Sequence, residues 1–410
     1  MTPARAEGRA PGRFDVLGGV ADYSGALVLQ MPIAATTTVR LETLPDPSIR
    51  VTSPGRAAVI VPTTACDVVA ASPGDAAAGR AWLDEHDVAA WARYPLGCLM
   101  LFCDRFGWRP GHGLAIAVES DVPVSMGVSS SAALEVATLR ALERLSGHAF
   151  AGTALARLAQ RAENELVGAP CGLMDQLAAA HGTAGALLPI LCRPDVLAPP
   201  LPLPPGVVVA GWPSGVAHAV SGTPYGTART AAFMAKAIIA RALGRRLDHL
   251  AEATPEEVAT IDRDALPARL SGREFASRHG GVDDPLSRID PDRDYPVRAA
   301  AEFATGENAR AAAAVALLGR TADHDPAELA ATLGALMGES HRGYSAIGLG
   351  APETDAMVEA IRRHGPAHGF YGARISGGGC GGTVVVLLAT AALPALRRLA
   401  AEMTGTEVIG

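Results

Sequence analysis

Hydrophobic and polar positions alternate along this chain with two different periods, and the changes of period outline its elements. From Arg13 to Arg40 the text reads strand, glycine-rich turn, strand: FDVLGG, then ALVLQMPIAATTTVR. Alternation in VRLETL and the run AAVIVP predict further short strands through about Val61. A helix follows over roughly Val88 to Phe106, interrupted or kinked near Pro95. LAIAVESDVP, residues 114–123, alternates as a strand. After a Ser/Gly loop the spacing turns helical in SSAALEVATLRALERLSG. There Leu134, Leu139, Leu142 and Leu145 share a broad apolar face, and Gly147 is the stop. A second helix spans roughly Thr153 to Leu166, Pro170-Cys171-Gly172 breaks it, and a short helix restarts at Leu173.

LAPPLPLPPG, residues 197–206, carries five prolines and reads as a stiff connection that neither helix nor sheet tolerates. It sets the expected boundary between two lobes, 1–204 and 205–410. Beyond it GVVVAGW is a strand and 228–245 a helix. Residues 250–300 are charged, Pro-rich and irregular, and define an insertion at about 246–300. Helices resume near Ala309 and Ala327. The chain closes with strand, glycine loop, strand in ARISGGGCGGTVVVLL, then a final helix.

Composition narrows the class. At 410 residues the chain suits two lobes, and 49% hydrophobic against 19% charged residues describes a folded protein. Aromatics are only 4%, so the core is Ala, Val and Leu. A net charge of -7 with neither sign in blocks disfavours nucleic acid as the main partner but leaves room for one nucleotide site. The six cysteines form no C-x-x-C pair and no disulfide framework, which points to a reducing compartment. The N-terminus lacks the apolar core of a signal peptide, and the run Thr383 to Leu396 is too short to span a bilayer. The expectation is a cytoplasmic protein with no membrane partner.

Three segments carry chemistry. VPVSMGVSSSAA, residues 122–133, lies between a strand and a helix, where backbone N–H groups and the helix terminus can cradle phosphate. Its serines also serve as ordinary capping residues, and there is no Gly-Lys-Ser/Thr of a Walker A loop. Glu163 and Asp175 flank the Pro170-Cys171-Gly172 break, and two carboxylates there can hold a cation and face a nucleophile. Alternatively, Glu163 lies on a solvated helix face and Asp175 favours a helix N-terminus. SGGGCGG, residues 376–382, reads equally as a tight turn or as a loop that a ligand approaches.

Taken together the segments resemble the GHMP kinases. Gly12-Arg13-Phe14-Asp15-Val16-Leu17-Gly18 with Asp22-Tyr23-Ser24-Gly25 is similar to the opening motif of the galactokinase branch. Gly127-Val128-Ser129-Ser130-Ser131-Ala132 is similar to the phosphate loop, and Gly377-Gly378-Gly379 with Gly381-Gly382 to the third motif. Pro170-Cys171-Gly172-Leu173-Met174-Asp175-Gln176 resembles the segment with the catalytic Asp. Also similar are Trp91-Ala92-Arg93-Tyr94, Ser214-Gly215-Val216-Ala217-His218 with Tyr225, and Ser340-His341-Arg342. Val16 to Gly25, Val167 to Gly172, and Tyr344-Ser345-Ala346 with Gly348-Leu349-Gly350 extend the likeness to the L-arabinokinases of that branch.

The resemblance implies an α+β fold of two lobes, the first with a left-handed βαβ crossover and the second ferredoxin-like, with the active site between them. It implies an ATP- and Mg²⁺-dependent kinase for the anomeric hydroxyl of L-arabinose or a related sugar, working as monomer or homodimer. Ser131 and Glu163 would hold Mg²⁺, with Gly127, Val128, Ser129, Ser130, Ser131 and Ala132 around the phosphates. Asp175 would accept or orient the hydroxyl proton, while Arg13 stabilises the transferring group and keeps Asp175 ionised. Asp22, Gly19, Val20, Tyr225, Gly172 and Gly378 would line the sugar together with Asp175. Packing is a competing use for Tyr225, and His218 has no clear role.

Galactokinases have Glu-His where this chain has Gly19-Val20, and those polar residues serve the C6 hydroxyl. Their absence suits a pentose, because polar groups with nothing to bind are heavily penalised. Gly19 also makes room, which keeps galactose or a modified sugar as an alternative. Ser125-Met126 and Cys380 also depart from the family pattern. A second alternative is a silent sugar sensor, against which the intact Ser129-Ser130-Ser131-Ala132, Glu163, Asp175 and Arg13 count.

Overall fold

The computed structural model describes residues 4–71, 76–216, 223–320 and 325–410. His218 and its neighbour Ala217 lie outside them. By internal contacts the chain forms two compact units, one of residues 1–13, 33–124 and 129–181, the other of 14–32, 125–128 and 182–410. The sequence reading divides the chain once, at 204/205, whereas these units interleave. The reason is local: the opening strand and turn, and one four-residue loop, pack with residues far along the chain.

The first unit takes β1 (Arg5–Leu17) up to Arg13 and the long β2 (Leu27–Leu44) from Ile33, followed by β3 (Ser48–Thr52) and β4 (Val59–Pro62). Helices α1 (Ala65–Val68), α2 (Ala76–Glu85) and α3 (Ala90–Phe106) lead into β5 (Gly113–Ser120). Helices α4 (Ser130–Ser146), α5 (Ala154–Arg161) and α6 (Met174–His181) complete it. β3 pairs with β5 in parallel and β2 with β5 antiparallel, Thr37 opposite Ser120 and Leu44 opposite Gly113. Val39, Leu41, Ile49, Val51, Leu114 and Ile116 bury one alternating face of this sheet under α3 and α4. That is the period-two pattern paying off against helices with a broad apolar face.

α3 is one continuous helix. Pro95 sits inside it without interrupting it. Its position in the second turn costs one N–H bond, and the buried run Leu96 to Cys103 holds the helix against its neighbours. α4 stops where expected, at Gly147 with φ 77°.

The second unit contains β6 (Ala186–Leu191), β7 (Val196–Leu197), β8 (Leu201–Pro202), β9 (Val207–Pro213) and α7 (Thr223–Ala242). Then come α8 (Pro255–Thr260), β10 (Leu270–Ser271), α9 (Gly272–His279), β11 (Asp294–Tyr295) and α10 (Val297–Leu318). α11 (Pro326–Ala346), α12 (Pro352–His364), β12 (Phe370–Ile375), β13 (Thr383–Ala389) and α13 (Leu393–Met403) end the chain. β9, β13 and β12 make an antiparallel sheet with β13 in the middle, its six residues from Thr383 to Leu388 all buried.

Two expectations change here. The proline-rich stretch does enter a sheet, since β7 and β8 both pair with β6. Two-residue edge strands lose little by proline's missing N–H. The 246–300 segment is ordered, with α8, α9 and a β10–β11 ribbon, and α10 begins at Val297, well before Ala309. Leu250, Val258, Leu270, Phe275 and Tyr295 bury against α7 and α10 in one core. Sparse apolar residues spread over short turns give no period to read.

Candidate active site

In the first unit the predicted residues gather around two carboxylates. Asp175 opens α6, and its Oδ1 accepts from Arg13 Nε at 2.9 Å and lies 2.8 Å from Nη2. Ser129 Oγ donates to the other oxygen at 2.5 Å. The Arg13 side chain is 3% exposed and Asp175 22%, so a held carboxylate keeps one open side. Ser129 reaches it because its backbone is left-handed, φ 57°, directly before α4. A serine seldom adopts that conformation, and strain of this kind gathers at functional loops.

Glu163 lies after α5, where the helix widens into a π turn over Ala162–Val167. The N–H groups of Gly168 and Ala169 both reach back to the Glu163 carbonyl. Glu163 continues the buried face of α5 set by Ala156 and Ala159, and it is 5% exposed. The reading as a solvated helix face is thereby corrected. Gln176 Nε2 donates to Glu163 Oε2 at 2.7 Å and to Glu135 Oε2 at 3.1 Å, and Cys171 Sγ lies 3.3 Å from Glu163 Oε2. Burial pushes the Glu163 carboxyl up to about 7, against a hydrogen bond from Ser131 that lowers it. Burial, then the nearby Glu163, also holds Glu135 well above the usual carboxylate range.

Ser131 and Glu163 are thus hydroxyl and carboxylate side by side, hard oxygen donors of the kind Mg²⁺ takes. A buried carboxyl that is costly to ionise is what a divalent cation would relieve, so the pair fits that metal. Among the described residues no cluster of three His, Cys, Asp or Glu could hold a metal by itself. Ser130 and Ala132 lie in the first turn of α4, and Gly172 is half-buried before α6.

In the second unit Gly127, φ 69°, has its carbonyl bonded by Ser376 Oγ at 3.1 Å, and Val128 is buried. A Cβ on Gly127 would come within 2.9 Å of the Ser376 carbonyl oxygen. The start of the serine loop and the 376–382 loop therefore meet in this unit. Gly378 is half-buried in the latter, and Cys380 packs beside an apolar cluster around Tyr344.

Gly19 and Val20 are buried in a turn of 3-10 helix over Gly19–Ser24. Asp22 is 6% exposed and its Oδ1 accepts from Tyr23 N–H at 2.6 Å. Tyr225 meets the Tyr23 ring edge-on at 6.2 Å. Arg229 lies 5.1 Å from the Tyr23 ring and forms two bonds, 2.8 and 2.9 Å, to the buried Asp284.

Sequence reasoning gave no role to Gln176, Glu135, Asp15, Tyr344, Glu307, Arg229 or Asp284. Asp15, Gln176 and Tyr344 stand inside motifs already singled out, which was the available signal. For Arg229 with Asp284 there was none, because the pair closes across 55 residues.

The chain also matches known proteins. The model of the GHMP kinases N terminal domain matches residues 93–183, and that of the GHMP kinases C terminal domain residues 327–405. The chain belongs to the GHMP kinase family. Within it the relatives are of the galactokinase and arabinokinase branch. L-arabinokinase of Arabidopsis thaliana is 32% identical over 92% of this chain, which spans 42% of that protein. Galactokinase of Chloroflexus aggregans is 32% identical over 93% of the chain and 83% of its own length. Among solved structures, Lactococcus lactis galactokinase complexed with galactose superposes with a TM-score of 0.76 at 20% identity, covering 98% of this chain and 92% of its own. Methanococcus jannaschii mevalonate kinase gives 0.61 at 14% identity, covering 98% and 96%. No helix among the described residues is long and apolar enough to cross a membrane.

Proposed function

We propose that this protein is a sugar kinase that transfers the γ-phosphoryl group of ATP to the anomeric hydroxyl of an L-arabinose-like pentose. The observation that carries the reading is the held carboxylate. Asp175 has both oxygens engaged, by Arg13 and by Ser129, and still keeps an open side. Buried Arg13 accounts for the charge, and the side left open to solvent is where a hydroxyl about to attack would meet it.

In the proposed reaction the sugar O1 bonds to the γ-phosphorus as the bond from that phosphorus to the bridging β-oxygen breaks. The O1 proton passes to Asp175, and ADP leaves with the electron pair of the broken bond. Arg13 offsets charge at the transferring group and aims the Asp175 oxygens. In a loose transition state such positioning and charge compensation provide most of the catalysis. Ser131 and Glu163 would hold Mg²⁺, which neutralises phosphate charge. Ser129, Ser130 and the N–H groups opening α4 would face the phosphates, with Gly127 and Val128 leading in. Asp22 would hold ring hydroxyls, and Gly19, Val20, Tyr225, Gly172 and Gly378 would complete the sugar's surroundings.

Galactose is the second reading, favoured by the galactokinases among the relatives at about the same identity as the arabinokinase. Against it, the space beside Gly19 is not open: a Cβ there would lie 1.8 Å from the Tyr344 hydroxyl. ADP release across L-arabinose, D-galactose, aminosugars and a heptose separates the readings, with phosphorus NMR to locate the new ester at C1. Turnover of L-arabinose well above D-galactose is expected. Equal turnover would sink the pentose assignment, and ATP binding without turnover of any sugar would favour the sensor.

A further inference from the structure

The turn that carries Gly19 and Val20 is closed off by a single oxygen atom. Tyr344, fully buried on α11, accepts from Val20 N–H at 3.0 Å and donates to the Gly377 carbonyl at 2.7 Å. Its ring is fixed on two sides. The Arg374 guanidinium lies 4.9 Å from the ring centre, and Phe303 meets it edge-on at 5.3 Å. Arg374 Nη2 is 3.2 Å from Asp15 Oδ2, and Asp15 Oδ1 accepts from Gly19 N–H at 3.1 Å. The Gly18 N–H is taken by Glu307 Oε2 at 2.9 Å. All three successive N–H groups of the turn are thus spoken for by buried side chains.

The volume is taken as well. A Cβ on Gly19 would fall 1.8 Å from Tyr344 Oη, 2.7 Å from its Cζ and 2.9 Å from Arg374 Nη2. With φ at 51° the position suits glycine on backbone grounds too. Burial, and secondarily Asp15, push the Tyr344 hydroxyl well up, so it stays a donor to Gly377.

We infer that Tyr344 is a specificity-determining residue whose hydroxyl fills the space beside Gly19 and occupies the Val20 N–H. The turn then offers a sugar neither room nor a donor for a hydroxymethyl group. The inference rests on the proposed reading, in which Gly19 and Val20 face the sugar. What separates a hexose such as D-galactose from L-arabinose is one CH₂OH. Removing the tyrosine oxygen frees a volume of about one hydroxyl and takes this partner from both Val20 N–H and the Gly377 carbonyl. A hexose can fill both and a pentose neither. Unpaired buried polar groups and missing methylenes each shift selectivity by tenfold or more.

The test is Tyr344→Phe, read as the ratio of kcat/KM for D-galactose to that for L-arabinose. A rise of about tenfold is expected, with the KM for ATP changing much less; a general loss of order would lower both sugars together. A ratio unchanged within about twofold would overturn the inference. A steric cycle covers the case in which the wild type uses neither sugar, or the Phe variant does not fold. Gly19→Ala is compared in the wild type and in a Tyr344→Leu background by thermal melting. The strain of alanine at positive φ is common to both backgrounds, so only the clash with the tyrosine differs. The drop in Tm from Gly19→Ala should shrink to roughly half or less in the Leu background. An equal drop would show that Tyr344 does not close the space, whichever sugar is the substrate.

Discussion

At the scale of single residues, the two carboxylates are built differently and predict different losses. Asp175 is held by donors on both oxygens, so Asp175→Asn can keep Arg13 on its oxygen and offer its amide to Ser129 Oγ. The fold should survive while the proton acceptor is gone. Turnover should fall by about 10²–10⁴ with ATP affinity retained, measured by ADP release and nucleotide titration. Unimpaired turnover would remove Asp175 from the chemistry. Glu163 is a buried carboxyl raised to about 7, mainly by burial. Its neutral form is preferred in the folded state, so its burial costs nothing below pH 4.5. The cost grows as pH rises from about 4.5 and is fully present above about 7. Without added metal, Glu163→Gln should therefore melt higher than the wild type at pH 8.5, by a few degrees, and by much less at pH 5. A gain at pH 5 as large as at pH 8.5 would mean that the effect is not ionisation.

At the scale of elements, legibility followed periodicity. β5, α4 and the closing β12–loop–β13 were readable because one face of each is uniformly buried. Glu163 was singled out, but its inward orientation was not, because a carboxylate on the face of Ala156 and Ala159 breaks the apolar stripe by which a buried face is read. The same holds for the inserted stretch, whose order comes from caps instead of stripes. Thr254 Oγ1 accepts from Glu257 N–H at 3.2 Å and Glu257 returns the bond to Thr254 N–H at 2.9 Å, closing the start of α8. Arg245 adds an ion pair to Glu257 at 2.9 Å. α8 then buries Val258 in the core formed with α7 and α10. Thr254→Ala should cost about 1 kcal/mol and lower the melting temperature by a few degrees. An unchanged melt would mean that the stretch is not part of the cooperative core.

At the scale of the whole molecule, the class of fold was legible and its partition was not. A cut at a proline-rich stretch assumes that residues near in sequence pack together. Here Phe14–Pro32 and Ser125–Val128 pack with the unit that holds the glycine loop. Motifs identified the family because they are short and local, whereas the units depend on distant pairings such as Gly18 with Glu307. Nucleotide and metal binding give a reading on the folded chain that needs no sugar. A ligand present at 100 times its Kd stabilises the state it binds by about 2.7 kcal/mol, worth a few degrees here. ATP with EDTA should give part of that rise through the N–H groups and hydroxyls opening α4. Adding Mg²⁺ in excess should give a further increment in the wild type. In Ser131→Ala the second increment should disappear while the first remains, because only the metal's hydroxyl donor has been removed. If Ser131→Ala keeps the full Mg²⁺ increment, the cation is held elsewhere, and Glu163 is left as a buried carboxyl with no metal to justify it.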